Sequence, residues 1–237
     1  MSNVHIATGG DMALHLKQAI LLYCSENSGA VYATIHDVNT DRKTPVLLAG
    51  RAMTLPDLAT FATAAAGRTA YHGFIDERLL YAGPNTIAWR TPPQRRHVWF
   101  GAGSDLGEVS GPANHPGLVF VATGERWYVF ALRGTFRPTP ESPVYVAPYF
   151  NVWDSGQICT GNVDLPDRPG PASIVAYENA FFRSNFTHPN QPRLVKRRGG
   201  AKQLWRDLLA GAEFPIRCLI PRNETLADAI ARVTKGE

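Results

Sequence analysis

Long apolar runs are missing from this 237-residue chain. No stretch approaches the ~20 apolar residues needed to cross a bilayer, and Met1 to Gly10 lacks the basic-then-apolar order of a secretory leader. These absences point away from the membrane and toward the cytoplasm. Cysteine is scarce: Cys24, Cys159 and Cys218 are the only three, far apart, with no C-x-x-C pair and no Cys/His cluster at metal-ligand spacing. That excludes a disulfide framework and a zinc site, and leaves free thiols. The seven histidines show no paired spacing for a metal or a triad. Gly101-x-Gly103-x-x-x-Gly107 fits neither the dinucleotide nor the Walker spacing, and no helix signal follows it. No cofactor or metal is implied. Asn185-Phe186-Thr187 and Asn223-Glu224-Thr225 match a glycosylation acceptor, which has no consequence without a secretory leader. Internal repeats and low-complexity tracts are also missing.

What is present is globular composition, 44% hydrophobic and 19% charged, enough for one large domain or two small ones. The chain carries a net charge of +4 with pI near 9.1. Part of the excess is local, in Arg193, Lys196, Arg197 and Arg198 before Gly199-Gly200. Such a patch attracts nucleic acid or an acidic protein surface, or is simply a solvated loop beside a helix; no nucleic-acid recognition motif accompanies it.

Met12 to Cys24, Ala30 to Asp37 and Pro45 to Met53 are apolar segments separated by the turn clusters Ser25–Gly29 and Asn39–Lys43, which predicts a three-stranded antiparallel meander. Thr54 caps a helix with Pro56 in its first turn, ending at Gly67. Thr86 to Trp89 and Arg96 to Phe100 read as strands around Thr91-Pro92-Pro93, and Gly101 to Pro116 as a loop. Leu118 to Ala122 and Trp127 to Leu132 alternate aromatic and β-branched residues about Thr123-Gly124, the pattern of a hairpin. The prolines of Arg137 to Pro143 make an extended connection to a short strand, Val144 to Val146. Pro171 starts a helix whose buried stripe is Ile174, Tyr177 or Glu178, Phe181 and Phe182, stopped by the 187–192 segment. A second helix spans Ala201 to Ala210, Phe214 to Ile220 reads as a strand, and Thr225-x-x-Asp228 opens a last helix to Val233. The predicted domains are a β-rich extension, 1–53, and a main α+β domain, 54–237.

Between the short strand and the Pro171 helix lies Asn151-Val152-Trp153-Asp154-Ser155-Gly156-Gln157-Ile158-Cys159. A loop cysteine is either a nucleophile or a small buried hydrophobe. Asn151 is either a donor to a developing oxyanion or a residue that caps the backbone of its own turn. Asp164 and Asp167 follow in a Pro/Gly-rich loop, where they orient or deprotonate an incoming amine or serve as turn residues. Cys218, in parity with Phe214, Ile216 and Ile220, reads as core, and Cys24 at a strand end is read the same way. His188 reads as a solvated loop residue, while nothing in the sequence places His72 or His115 near the loop.

Hairpin, proline-rich connection, short strand, Asn-Val-x-x-x-Gly-x-Ile-Cys and a helix beginning Pro171-Ala172 together resemble the core of ubiquitin-conjugating enzymes. Asn151, Val152, Gly156, Ile158 and Cys159 fall in register with that family's active-site stretch. The whole chain is similar to the bacterial PRTRC system protein B family, a prokaryotic ubiquitin-conjugating-like family (family D) of mobile-element cassettes. The resemblance implies an antiparallel meander with flanking helices, preceded by the N-terminal extension. It also implies a thioester at Cys159, an oxyanion donor in Asn151, a ubiquitin-like β-grasp partner, a ThiF-like activating enzyme and a JAB-type protease in the same pathway. A noncatalytic ubiquitin-like-binding module and a nucleic-acid-associated cassette factor are the alternatives. The family's His-Pro before the Asn is replaced by Tyr149-Phe150, so another group must fold the loop, with Tyr149 a candidate for the substitute hydrogen bond. The usual Trp of the following loop is missing.

Overall fold

The computed structural model describes residues 16–24, 31–40, 44–69, 74–83, 85–124, 126–161 and 163–235. The start of the Met12 segment, the 25–29 turn, most of the 39–43 turn and His72 lie outside them. The chain is α+β and divides into two units, Met1–Ala70 and Tyr71–Glu237. In the first, β1 (Gln18–Cys24), β2 (Val31–Asn39) and β3 (Val46–Ala52) pair antiparallel in that order. Helix α1 (Leu55–Thr69) follows. It opens on a reciprocal cap: Thr54 N–H and O–H donate to Asp57 Oδ2 at 2.9 and 2.7 Å, and the Asp57 N–H donates back to Thr54 Oγ1 at 3.4 Å. The Arg51 guanidinium completes the set, and these hydrogen bonds hold the Asp57 carboxyl well below the usual range. None of the residues of this unit whose side chains are described is buried. Cys24 is exposed, contrary to the core position expected of it, because the strand it ends has no covered face there. The sequence boundary after residue 53 and the structural one after Ala70 differ by α1, which groups with the sheet that precedes it.

The second unit comprises β4 (Leu79–Gly83), β5 (Thr86–Thr91), β6 (Gln94–Phe100), β7 (Val109–His115), β8 (Gly117–Thr123), β9 (Trp127–Leu132), β10 (Pro143–Val146), α2 (Ile174–Phe182), β11 (Asn185–Phe186), α3 (Gly200–Leu209), β12 (Pro221–Thr225) and α4 (Leu226–Lys235). Its main sheet has six strands in the order β12-β10-β9-β8-β5-β4, all neighbours antiparallel. The hairpin expected at Thr123-Gly124 is its centre, with Gly117 opposite Leu132 and Ala122 opposite Trp127. Period-two alternation sorts those strands between two cores. Leu118, Phe120, Trp127 and Val129 pack with α2 and α3 through Ile174, Phe181, Leu204 and Trp205. Val119, Val121, Tyr128 and Phe130 pack with α4 through Leu226, Ala229, Ile230 and Val233. Each large side chain buried this way contributes about 1.5–3 kcal/mol relative to exposure.

Two further expectations are corrected. Residues 101–116 are not all loop: Val109–His115 is β7, hydrogen-bonded to β6 in register from Phe100↔Val109 to Gln94↔His115. Gly111 and Pro112 hid it, and Pro112 is tolerated because β7 is the edge of a second sheet, β11-β6-β7. Pro92-Pro93 also sends the chain from one sheet to the other, so β5 and β6 are not partners. Phe214–Ile220 is not a strand, since Pro215 opens a tight turn closed by Cys218 N–H to Pro215 O at 2.8 Å, and the strand comes later as β12. The Pro171 start is a single 3-10 turn that runs into α2, whose buried residues are Ile174, Tyr177, Glu178, Phe181 and Phe182. Among the described residues no helix is long and apolar enough to cross a membrane.

Candidate functional site

The approach to the Asn151–Cys159 loop is fixed from below. Pro148 O accepts the Trp205 indole N–H at 2.8 Å. Tyr149 is fully buried, and its hydroxyl lies 2.7 Å from His115 Nδ1, with the two rings stacked at 5.7 Å. His115 Nε2 is 3.1 Å from Arg96 O, which only accepts, so the imidazole carries its proton on Nε2 and Nδ1 accepts from the tyrosine. Burial pushes His115 down to about 4, against which the hydrogen bond to Arg96 O acts, and burial pushes Tyr149 well up; both are neutral. Tyr149 thus makes a buried hydrogen bond, and its partner comes from β7.

Asn151 adopts φ +60°, a left-handed conformation that Asn tolerates better than most residues. Its Oδ1 accepts from Thr187 N (3.0 Å), Thr187 Oγ1 (2.9 Å) and His188 N (3.2 Å), and its Nδ2 donates to Asn185 O at 2.8 Å. Its own N–H reaches His188 O at 2.7 Å. The side chain stitches the loop to the segment after α2 rather than capping its own turn. One N–H of Nδ2 goes to Asn185 O, and an amide nitrogen carries a second.

The far side of the loop is a short reverse turn. Trp153 N–H reaches Gln157 O and Gly156 N–H reaches Trp153 O, both at 2.8 Å. Strand β10 pairs with β9 only at Phe130 and Ala131, so the other half of that β9 edge is open to the returning chain. Val129 N–H donates to Gly156 O and Ile158 N–H to Trp127 O, each at 2.9 Å. Gly156 sits at φ +89° against the Phe130 ring, where a Cβ would lie 2.5 Å from Cε1; only glycine fits this turn. Arg222 donates to Asp154 O, and Arg232 to Ser155 O at 3.2 Å. Both guanidiniums pair with Glu224 and lie over Phe130. Burial alone would raise the Glu224 carboxyl, but hydrogen bonds from Arg232 and Arg222 overcome it and hold the group below its ordinary value.

Cys159 closes the loop, its N–H donating to Asn151 O at 2.8 Å and its free thiol exposed. Cys218 is buried as expected, and burial pushes its thiol up, which makes it the poorer nucleophile. Asp164 and Asp167 are exposed in the next loop, with no side-chain hydrogen bond or ion pair among the described residues. Among those residues no three metal-ligating side chains cluster. The sequence did not reveal His115, Thr187, Arg222, Glu224 or Arg232 as supports of the loop. The only signal was Thr187 two residues after Asn185 in a tripeptide noted for another reason. A family model described as Prokaryotic E2 family D matches residues 54–222, well over half of the chain. That span holds the whole loop and ends at Arg222, short of Glu224 and Arg232. No curated protein and no solved structure matches the chain.

Proposed function

Because the chain belongs to prokaryotic E2 family D, we propose that it carries a ubiquitin-like β-grasp protein as a thioester on Cys159. In this reading a ThiF-like enzyme activates the partner, and the carrier acts in the cytoplasm within a PRTRC-type cassette that also holds a JAB-type protease. The observation that supports it is an exposed, free thiol ending a loop whose backbone is anchored on both sides. The Cys159 thiolate attacks the carbonyl carbon of the activated C-terminus; a new S–C bond forms as the bond to the activating group breaks, and that group leaves with the electron pair. An amine then attacks the same carbon, Cys159 leaves as thiolate, and the amine proton passes to a base. Asp164 and Asp167 are the carboxylates proposed for that proton. The second N–H of Asn151 is the proposed oxyanion donor, a role worth about 3–4 kcal/mol of barrier.

Incubation with the activating enzyme, the ubiquitin-like protein and ATP is the test. The wild type should give an adduct cleaved by thiol, and Cys159→Ser an ester that resists it. A noncovalent complex with no adduct would favour the binding-module reading instead. Asn151→Ala removes both the stitch and the donor, whereas Asn151→Asp keeps the acceptor for Thr187 and His188. The aspartate variant still loses the donor to Asn185 O, so oxyanion donation is supported only if its transfer slows by clearly more than its loss of folding stability accounts for.

A further inference from the structure

We propose that the cleft between the 189–195 segment and the start of α3 docks an acidic segment of the protein partner that delivers the acyl group, an assignment that rests on the carrier reading. The cleft has a volume of about 510 Å³, and its wall carries Arg193 and Lys202. Its floor belongs to the candidate site. Phe150 immediately precedes Asn151, and Gln191, 6% exposed, lies with its Nε2 3.4 Å from Val152 O inside the loop.

Most of the charge is uncompensated. Of the cations from Arg193 to Lys202, Arg197 is engaged by Asp207, which Gln203 also holds at 2.7 Å. Arg193, Lys196, Arg198 and Lys202 are exposed and form no ion pair among the described residues. Asp105 is the one carboxylate on the cleft wall. Cations gathered about a concavity focus the field toward its mouth and draw in carboxylates, raising association rates. Single-stranded nucleic acid gains affinity from aromatic faces to stack on, and the cleft's aromatic residue, Phe150, is 1% exposed and offers none. A run of Asp and Glu side chains meets the available chemistry. An occupant here also lies against the Cys159 loop, where a delivering partner has to be.

The experiment is fluorescence anisotropy of a labelled poly-glutamate peptide titrated with the full chain, alongside a labelled single-stranded oligonucleotide. Wild type and Cys159→Ser should bind the peptide equally, and binding should weaken as salt is raised past about 0.15 M. The double variant Arg193→Glu/Lys202→Glu should bind it at least about tenfold more weakly. Arg126→Glu/Lys235→Glu, with the same net charge change elsewhere, should bind nearly as wild type, and thermal unfolding by circular dichroism checks that each variant is folded. Equal weakening in both double variants overturns the assignment, as does oligonucleotide binding that is tighter than peptide binding and lost with Arg193 and Lys202. Failure of the carrier reading appears separately, as no thiol-cleavable adduct while the peptide still binds.

Discussion

At its upstream end the Cys159 loop is anchored by neutral groups, Tyr149 on His115 and Asn151 on the 185–188 segment, whereas its far turn, besides its backbone pairing with β9, is held by charge, through Arg222 and Arg232 on the carbonyls of Asp154 and Ser155. The neutral anchors on Tyr149 sit in the core, where an unmade hydrogen bond is costly. The guanidiniums are partly exposed, at 14% and 25%, and Glu224 holds them together. One set of anchors is buried and neutral and the other partly exposed and charged, and Gly156 is the point where charge, aromatic ring and turn meet.

The largest expected effect is at that point. Gly156→Ala forces a Cβ into the Phe130 ring at an unfavourable φ, and should cost about 2–5 kcal/mol in urea unfolding; a loss under about 0.5 kcal/mol would mean that the turn is not tightly seated. Next comes pH, which separates the two ends. His115 has a folded pKa of about 4 against 6.5 in the open chain, so its stabilisation is complete above 6.5 and is lost as pH falls toward 4, on the order of 3 kcal/mol in all. Glu224, lowered from 4.5, loses its contribution only as pH falls below that value. Unfolding curves across pH should therefore show the upper window unchanged in Glu224→Gln and the lower one reduced. Tyr149→Phe leaves His115 Nδ1 buried without its donor and should cost about 1–3 kcal/mol by the same measurement. Smallest in stability is Arg232→Ala, about 1 kcal/mol or less. Its thioester formation should still slow by roughly fivefold, since one kcal/mol in loop placement amounts to that factor. Equal effects of Tyr149→Phe and Arg232→Ala on unfolding would erase the distinction between the ends.

Legibility in the sequence followed the range of the interactions. The β8–β9 hairpin, the Thr54 and Thr225 caps and the α2 stripe are set by neighbours within a few residues, and the structure has them where periodicity and cap residues put them. Val109–His115 was obscured because its Gly and Pro imitate a loop, and only pairing with β6 makes it a strand. Phe214–Ile220 misled in the opposite direction, an apolar run that Pro215 folds into a turn. The loop's motif residues were legible from the family pattern, but its supports were not. His115 reaches Tyr149 across 34 residues and Arg222 reaches Asp154 across 68, distances over which no spacing rule operates. Asn151 shows the limit most clearly, for its sequence left a donor and a cap of its own turn equally open, and its amide is largely occupied in holding the 185–188 segment instead.

The most direct test is mass-spectrometric mapping of the adduct formed with activating enzyme, ubiquitin-like protein and ATP. The account predicts the added mass on the peptide containing Cys159 alone, released by thiol and absent from peptides with Cys24 or Cys218. An adduct on another residue, or none with partners that are themselves active, would contradict it.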